Sequence, residues 1–189
     1  MKKTDIKELN RDEFLSWLDA RNVQPYRAGQ ILRWVYQRQA DTFEEMTDLG
    51  NAFRKELSGK FVISRLEIAN VETSKDGSKK FLFKLGDDRY IESVLIPEKG
   101  HYTLCISSQA GCTQGCRFCL TAKSGFTRNL TKGEIVSQVR DIAAALDHND
   151  SRRLTNIVFM GMGEPLANYR HVIGAIETLC DRETGMGLS

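Results

Sequence analysis

Two apolar runs, "YTLCISS" at residues 102–108 and "NIVFM" at 156–160, constrain the fold of this chain more than any other feature. Each suits a strand, and a helical segment separates them. Thr131 and Glu134 stand in capping-box spacing ahead of "KGEIVSQVRDIAAALD", whose Ile135, Val139, Ile142 and Leu146 share one face. After Asn156, every residue of "NIVFM" is apolar, as expected of a parallel strand covered on both sides. "GMGEP" ends it and "NYRHVIGAIETLC" resumes helix. This βα alternation predicts a parallel α/β domain that starts near residue 101. About two βα units are too few to close a barrel or a doubly wound sheet, so the sequence is expected to be cut short.

The first sixty residues read differently. "NRDEFLSWLDARNV" puts Phe14, Trp17 and Leu18 on one face, with Asn10 and Glu13 as a capping box. "PYRAGQILRWVYQR" begins with a proline suited to a first helical turn. "TFEEMTDLGNAFRKELSG" predicts a third helix, capped by Thr42 and Glu45, striped by Met46, Leu49, Phe53 and Leu57, and stopped at Gly59. Strands follow: "RLEIANVETSKDGSKKFLFKL" holds Asp76-Gly77 between two runs, a hairpin signal, and "RYIESVLIP" is a further strand after Gly86-Asp87-Asp88. The expected organisation is α/β in three parts: a helical accessory unit at 1–60, a β-hairpin connector at 61–100 and the parallel unit at 101–189.

With 41% hydrophobic and 28% charged residues and 3 prolines among 189, the composition is that of a globular chain. Its net charge of +2 neither demands nor excludes nucleic acid. No apolar run follows Met1-Lys2-Lys3, which predicts neither an export signal nor a membrane span, hence a cytoplasmic protein. Five cysteines without such a signal point to metal or redox chemistry more than to a disulfide framework.

Three of those cysteines, Cys112, Cys116 and Cys119, form C-x3-C-x2-C inside "GCTQGCRFC". A structural zinc site takes four ligands; His101 or Cys105 could supply the fourth, so a zinc reading stays open. A chance group of buried thiols suits this segment poorly, because Gly111, Gln114, Gly115 and Arg117 make weak core. The remaining reading is a cubane iron–sulfur cluster held by three thiolates, with one iron open to a small ligand.

At this point the sequence resembles the radical S-adenosylmethionine superfamily, whose C-x3-C-x2-C loop follows the first barrel strand. The resemblance implies a [4Fe-4S] cluster on Cys112, Cys116 and Cys119 and a partial (β/α) barrel. It also implies S-adenosylmethionine chelated to the open iron through its amino and carboxylate groups. Gly161-Met162-Gly163-Glu164-Pro165 is by itself an ordinary strand-to-helix turn. Behind this strand it resembles the superfamily's "GGEP"-type motif, which makes Gly163 and Glu164 cofactor-binding candidates.

Over nearly the whole chain, "PYRAGQILRWVYQR", "FEEMTDLG", "RYIESVLIP", "CISSQAGCTQGCRFCLTAKSGFTRNLT", "EIVSQV" and "NIVFMGMGEPLANY" are similar to the bacterial adenine C2 methyltransferases. These act on one adenosine of 23S ribosomal RNA, and some also on adenosine 37 of certain transfer RNAs. The family's chemistry runs through a methylated protein cysteine, a 5′-deoxyadenosyl radical and a transient disulfide. The resemblance implies that Glu92 takes the carbon 2 proton and that Cys105 is the resolving cysteine. The methyl-carrying cysteine has no counterpart here, since Cys180 falls in a core stripe, so the chain is expected to be the enzyme's N-terminal half. The resemblance further implies an RNA-binding role for the helical unit, an electron donor such as flavodoxin, no membrane and a monomer. Arg27, Arg33, Arg38, Lys79, Lys80 and Lys84 are phosphate candidates. Two other readings stay open: a catalytically inactive iron–sulfur or RNA-binding fragment, and a radical enzyme with a glycyl or small-molecule substrate.

Overall fold

A computed structural model describes residues 3–146 and 150–188. The chain enters through a two-residue strand β1 (Thr4–Asp5) and a 3-10 turn at Ile6–Glu8, then forms α1 (Arg11–Asp19) and α2 (Tyr26–Tyr36). Asn10 and Glu13 exchange hydrogen bonds of 2.8 Å at the head of α1, as the capping box predicts. Phe14 and Leu18 of α1 and Ala28, Ile31, Leu32, Val35 and Tyr36 of α2 are buried at helical spacing. The helix expected over 42–59 is two pieces instead. The Thr42–Glu45 box is present, but it closes only a 3-10 turn at Phe43–Glu45, and α3 (Asn51–Lys60) starts anew after an extended Gly50. Met46 and Leu49 are buried from the connecting segment, and Gly59 lies inside α3 rather than ending it. β2 (Phe61–Val62) then pairs in parallel with β1, tying the chain's start to the end of its helical unit.

Five strands make the main sheet, in the order β3 (Glu67–Thr73), β4 (Lys79–Lys84), β5 (Tyr90–Pro97), β6 (His101–Cys105), β9 (Arg153–Val158). β3 through β6 pair antiparallel; β6 and β9 pair parallel, the crossover that the βα alternation predicts. Gly77, at φ +86°, turns the expected hairpin between β3 and β4. The strands on either side of residue 100 therefore share one sheet. Between β6 and β9 come β7 (Gln109–Gly111), a short helix α4 (Leu120–Lys123), β8 (Phe126–Asn129) and α5 (Lys132–Ala144). A 3-10 turn at Pro165–Asn168 and α6 (Tyr169–Cys180) follow β9.

β9 departs from the expectation of coverage on both faces. It begins three residues early, at Arg153, and only Leu154 of its six residues is buried. Among the described residues it is the edge strand of the sheet, with no further strand paired beyond it.

α5 fastens the helical unit to the sheet. Arg140, with no exposed surface, donates through Nε to Val35 O at 3.0 Å, through Nη2 to Gln39 O at 2.9 Å and Ala40 O at 2.6 Å, and through Nη1 to Asp141 Oδ1 at 3.0 Å. It thus satisfies carbonyls at and beyond the C-terminal end of α2. Lys132 Nζ donates to Leu9 O at 2.7 Å, and Thr131 Oγ1 to Glu8 Oε1 at 2.6 Å. No described helix is long and apolar enough to cross a membrane.

Candidate active site

Register decides which side chains share the sheet's open face. Cys105 of β6 stands opposite Val94 of β5, which stands opposite Lys80 of β4. Side chains alternate along a strand, so Glu92, two residues from Val94, lies on the same face as Cys105 and Lys80. The other face carries Ile91, Ser93 and Leu95, all buried. Lys80 Nζ lies 3.4 Å from Glu92 Oε1 and 3.2 Å from Glu72 Oε2, and these two carboxylates raise its pKa. Cys105 is nearly buried, and that burial pushes its thiol pKa up against the smaller opposite effect of a backbone hydrogen bond at Met160.

Beyond Cys105 the chain makes the short β7–β8 pair, and the loop between those strands carries Cys112, Cys116 and Cys119. The loop closes at its base where Cys112 N donates to Gly125 O at 3.1 Å. Gly111 sits there at φ +79°, and a Cβ on it would lie 1.9 Å from Gly125 O, so only glycine permits the closure. All five cysteines are free thiols. Gln114 N donates to Cys112 Sγ at 3.4 Å, and backbone N–H groups at Ala122 and Thr121 lower the pKa of Cys119. The contacts at Cys119 favour its thiolate, the form that binds iron, and three cysteines in one loop fit a three-thiolate cluster in kind. The three sulfurs are spread apart in this conformation: among the described residues no three of His, Cys, Asp and Glu are gathered closely enough to hold a metal ion. His101 is no fourth ligand, because it begins β6 and lies about 13 Å of strand from Cys105.

The Gly163–Glu164 turn folds against the start of this loop. Met162 O accepts from Ser108 N at 2.8 Å and from Gln109 N at 3.2 Å. Ser107 Oγ accepts from Met162 N at 2.8 Å and donates to Glu92 O at 2.6 Å. Gln138 of α5 holds Ser107 in turn, its Oε1 accepting from Ser107 N at 2.8 Å and its Nε2 donating to Ser107 O at 3.0 Å. Glu164 N donates to Gln109 Oε1 at 3.0 Å, and one carboxylate oxygen of Glu164 accepts from Leu166 N at 3.1 Å. Cys105, the cysteine loop and the turn therefore meet at the C-terminal ends of two adjacent parallel strands, where α/β sheets take ligands.

Residues 4–63 match the family described as the ribosomal RNA large subunit methyltransferase N-terminal domain. A dual-specificity RNA methyltransferase of Desulfosudis oleivorans is 50% identical over 185 residues, covering 98% of this chain and 49% of that protein. Another, from Geotalea uraniireducens, is 48% identical over 96% of this chain and 51% of its own length. Over the half that it spans, the chain belongs to the dual-specificity RNA methyltransferase family. The crystal structure of a radical SAM methyltransferase from Sphaerobacter thermophilus superposes with a TM-score of 0.86 at 37% identity, over 98% of this chain and 54% of that one. The chain spans about half the length of the curated relatives it matches.

With the family in hand, the placement of each expected residue is plain. Glu92 and Cys105 share a face, and Gly163 and Glu164 abut the start of the cysteine loop. Cys180 ends α6 half-buried. Of the phosphate candidates, Lys80 is engaged by two glutamates and Lys84 by Asp88 at 2.8 Å, whereas Arg33 is exposed on α2 and Arg38 just beyond its end. Sequence reasoning missed Ser107, Gln109 and Gln138. Their signal was polarity in segments that read as apolar strand and helix.

Proposed function

We propose that this chain is the cluster- and cofactor-binding half of a radical RNA methyltransferase that methylates carbon 2 of adenosine, in 23S ribosomal RNA and in transfer RNA. The observation that carries the reading is the docking of the Gly163–Glu164 turn onto the cysteine loop beside Cys105. Cys112, Cys116 and Cys119 would hold the cluster; when bound, it supplies the electron that opens S-adenosylmethionine. The free oxygen of the Glu164 carboxylate is the acceptor for the cofactor's ammonium group. Glu92 takes the proton from carbon 2, and the salt bridge to Lys80 keeps its carboxylate on the open face. Cys105 supplies the resolving thiol. Burial keeps that thiol protonated at neutral pH, so it reacts only after its proton has been removed.

The test is anaerobic loading with iron and sulfide, followed by titration with S-adenosylmethionine. About four irons should bind per chain, and Cys112→Ala, Cys116→Ala or Cys119→Ala should each abolish the cluster's absorption. The cofactor should then change the reduced cluster's electron paramagnetic resonance spectrum. A tetrahedral zinc that survives loading, or a spectrum indifferent to millimolar cofactor, would overturn the reading.

A further inference from the structure

We propose that Gln109 is a positioning residue for the amino-acid end of S-adenosylmethionine, its buried side-chain amide fixing the spacing between the cysteine loop and the Gly163–Glu164 turn. This rests on the function proposed above. Gln109 has no exposed surface, so its polar atoms must find partners inside the protein. Its Oε1 accepts from Glu164 N at 3.0 Å and from Thr113 N at 3.3 Å, and its Nε2 donates to Asn129 Oδ1 at 2.8 Å. The amide's orientation is forced, since a backbone N–H only donates and the oxygen must face both. One oxygen thereby joins the residue after Cys112 to the residue that bears the candidate carboxylate.

The turn is shaped to receive this side chain. Gly163 adopts φ +98°, and a Cβ there would lie 2.5 Å from Gln109 Cβ and 2.7 Å from its Cγ. A side chain at 163 and the glutamine at 109 cannot coexist, so the glycine is what lets the amide reach Glu164 N. The far side is fixed as well, because Asn129 belongs to β8, the strand that returns from the cysteine loop. An α-amino acid puts its ammonium and carboxylate on one carbon. A ligand that meets the cluster with one end and Glu164 with the other tolerates only a fixed gap. A shift of about 1 Å between the two segments sacrifices one contact or the other.

The experiment compares wild type, Gln109→Leu and Gln109→Glu after identical cluster loading. It measures iron content, the cofactor concentration giving half the spectroscopic change, and hydrogen–deuterium exchange over residues 111–115 and 161–167. Gln109→Leu should retain the cluster and need about tenfold more S-adenosylmethionine, the equivalent of one lost hydrogen bond. Its exchange should rise in both segments and not in α1 or α2. Gln109→Glu keeps the acceptor oxygen for Glu164 N and Thr113 N but loses the amide donor to Asn129, and should recover part of the binding and of the exchange protection. An unchanged half-saturating concentration in Gln109→Leu overturns the proposal, as does equal loss of the cluster in both variants, which marks a merely structural role. If wild-type protein loads a cluster but ignores the cofactor, the proposed function fails separately. Exchange then decides for Gln109: unchanged protection in Gln109→Leu refutes the clamp, and a rise in both segments partly reversed by Gln109→Glu upholds it.

Discussion

Replacing Arg140 by Met tests whether α5 is what holds the helical unit in place. The guanidinium has no exposed surface and gives hydrogen bonds to three backbone carbonyls, Asp41 and Asp141. Methionine matches its length and removes every donor. Asp141, only 3% exposed, would keep Leu66 N at 2.8 Å and Arg65 Nη1 at 3.6 Å but lose its closest cation. Removing one member of a buried ion pair costs about 3–5 kcal/mol, a large part of the roughly 5–15 kcal/mol that stabilises a typical domain. With a urea slope of about 2 kcal/mol/M, the midpoint followed by circular dichroism should fall by about 2 M.

The effect should depend on pH in one direction. Burial raises the pKa of Asp141, against the pull of Leu66 N–H, Arg140, Arg65 and Lys7. A carboxyl with a raised folded-state pKa favours the folded state most below the ordinary value near 3.9, and that favour is lost as pH rises through the folded value. Without Arg140 this window moves higher, so the penalty of Arg140→Met should be smaller at pH 5 than at pH 7. Asp141→Asn added to Arg140→Met should recover part of the loss, a coupling that separates the ion pair from mere packing. A midpoint within about 0.3 M of wild type at pH 7 would refute the argument that α5 anchors α2.

Gly163→Ala places a methyl group in Gln109 at positive φ and should cost about 1–3 kcal/mol, seen as faster amide exchange at Glu164; an unaltered turn would contradict the close approach. Under limiting iodoacetamide without iron, mass spectrometry should find exposed Cys116 alkylated early and Cys105 last, with Cys105 gaining rate as pH rises from 7 to 9.5. Early labelling of Cys105 at pH 7 would refute the burial of that thiol. Arg128 bridges Asp87 at 2.7 Å and Glu134 at 2.8 Å, partly exposed, so Arg128→Met should cost no more than about 1 kcal/mol in the same urea assay.

Much of this architecture was legible because local and global signals agreed. The capping boxes at Asn10 and Thr131, the Asp76-Gly77 turn and the parallel pairing of the two apolar strands all stand where the sequence puts them. The third helix was misread because Met46 and Leu49 keep helical spacing with Phe53 and Leu57. They are buried through a connecting segment instead, and periodicity cannot distinguish the two. β9 was misjudged because an apolar run reports what a strand prefers to touch, not which neighbours it has. Fully buried Arg140 and Lys7 ran against the expectation for charged residues, and nothing local in their segments marks the distant carbonyls that receive them.

The candidate site shows where sequence reading stops. Residue types and spacing single out the three loop cysteines, and the family resemblance adds Glu92 and the Gly163–Glu164 turn, but whether two strand residues share a face depends on register. Val94 opposite Cys105 puts Glu92 on the thiol's face; a slip of one residue between β5 and β6 would leave Ser93 there and turn Glu92 into the core. Two interactions oppose that slip from outside the strands. Ser93 Oγ donates to Gln138 Oε1 at 2.8 Å on the buried face, and Ser107 Oγ donates to Glu92 O at 2.6 Å beyond the end of β6. The same Gln138 oxygen also accepts from Ser107 N, so one α5 side chain locks β5, β6 and the loop to a single parity. Polar residues within apolar segments, Ser93, Ser107 and Gln138, are thus the ones that hold Glu92 and Cys105 on one face of the sheet.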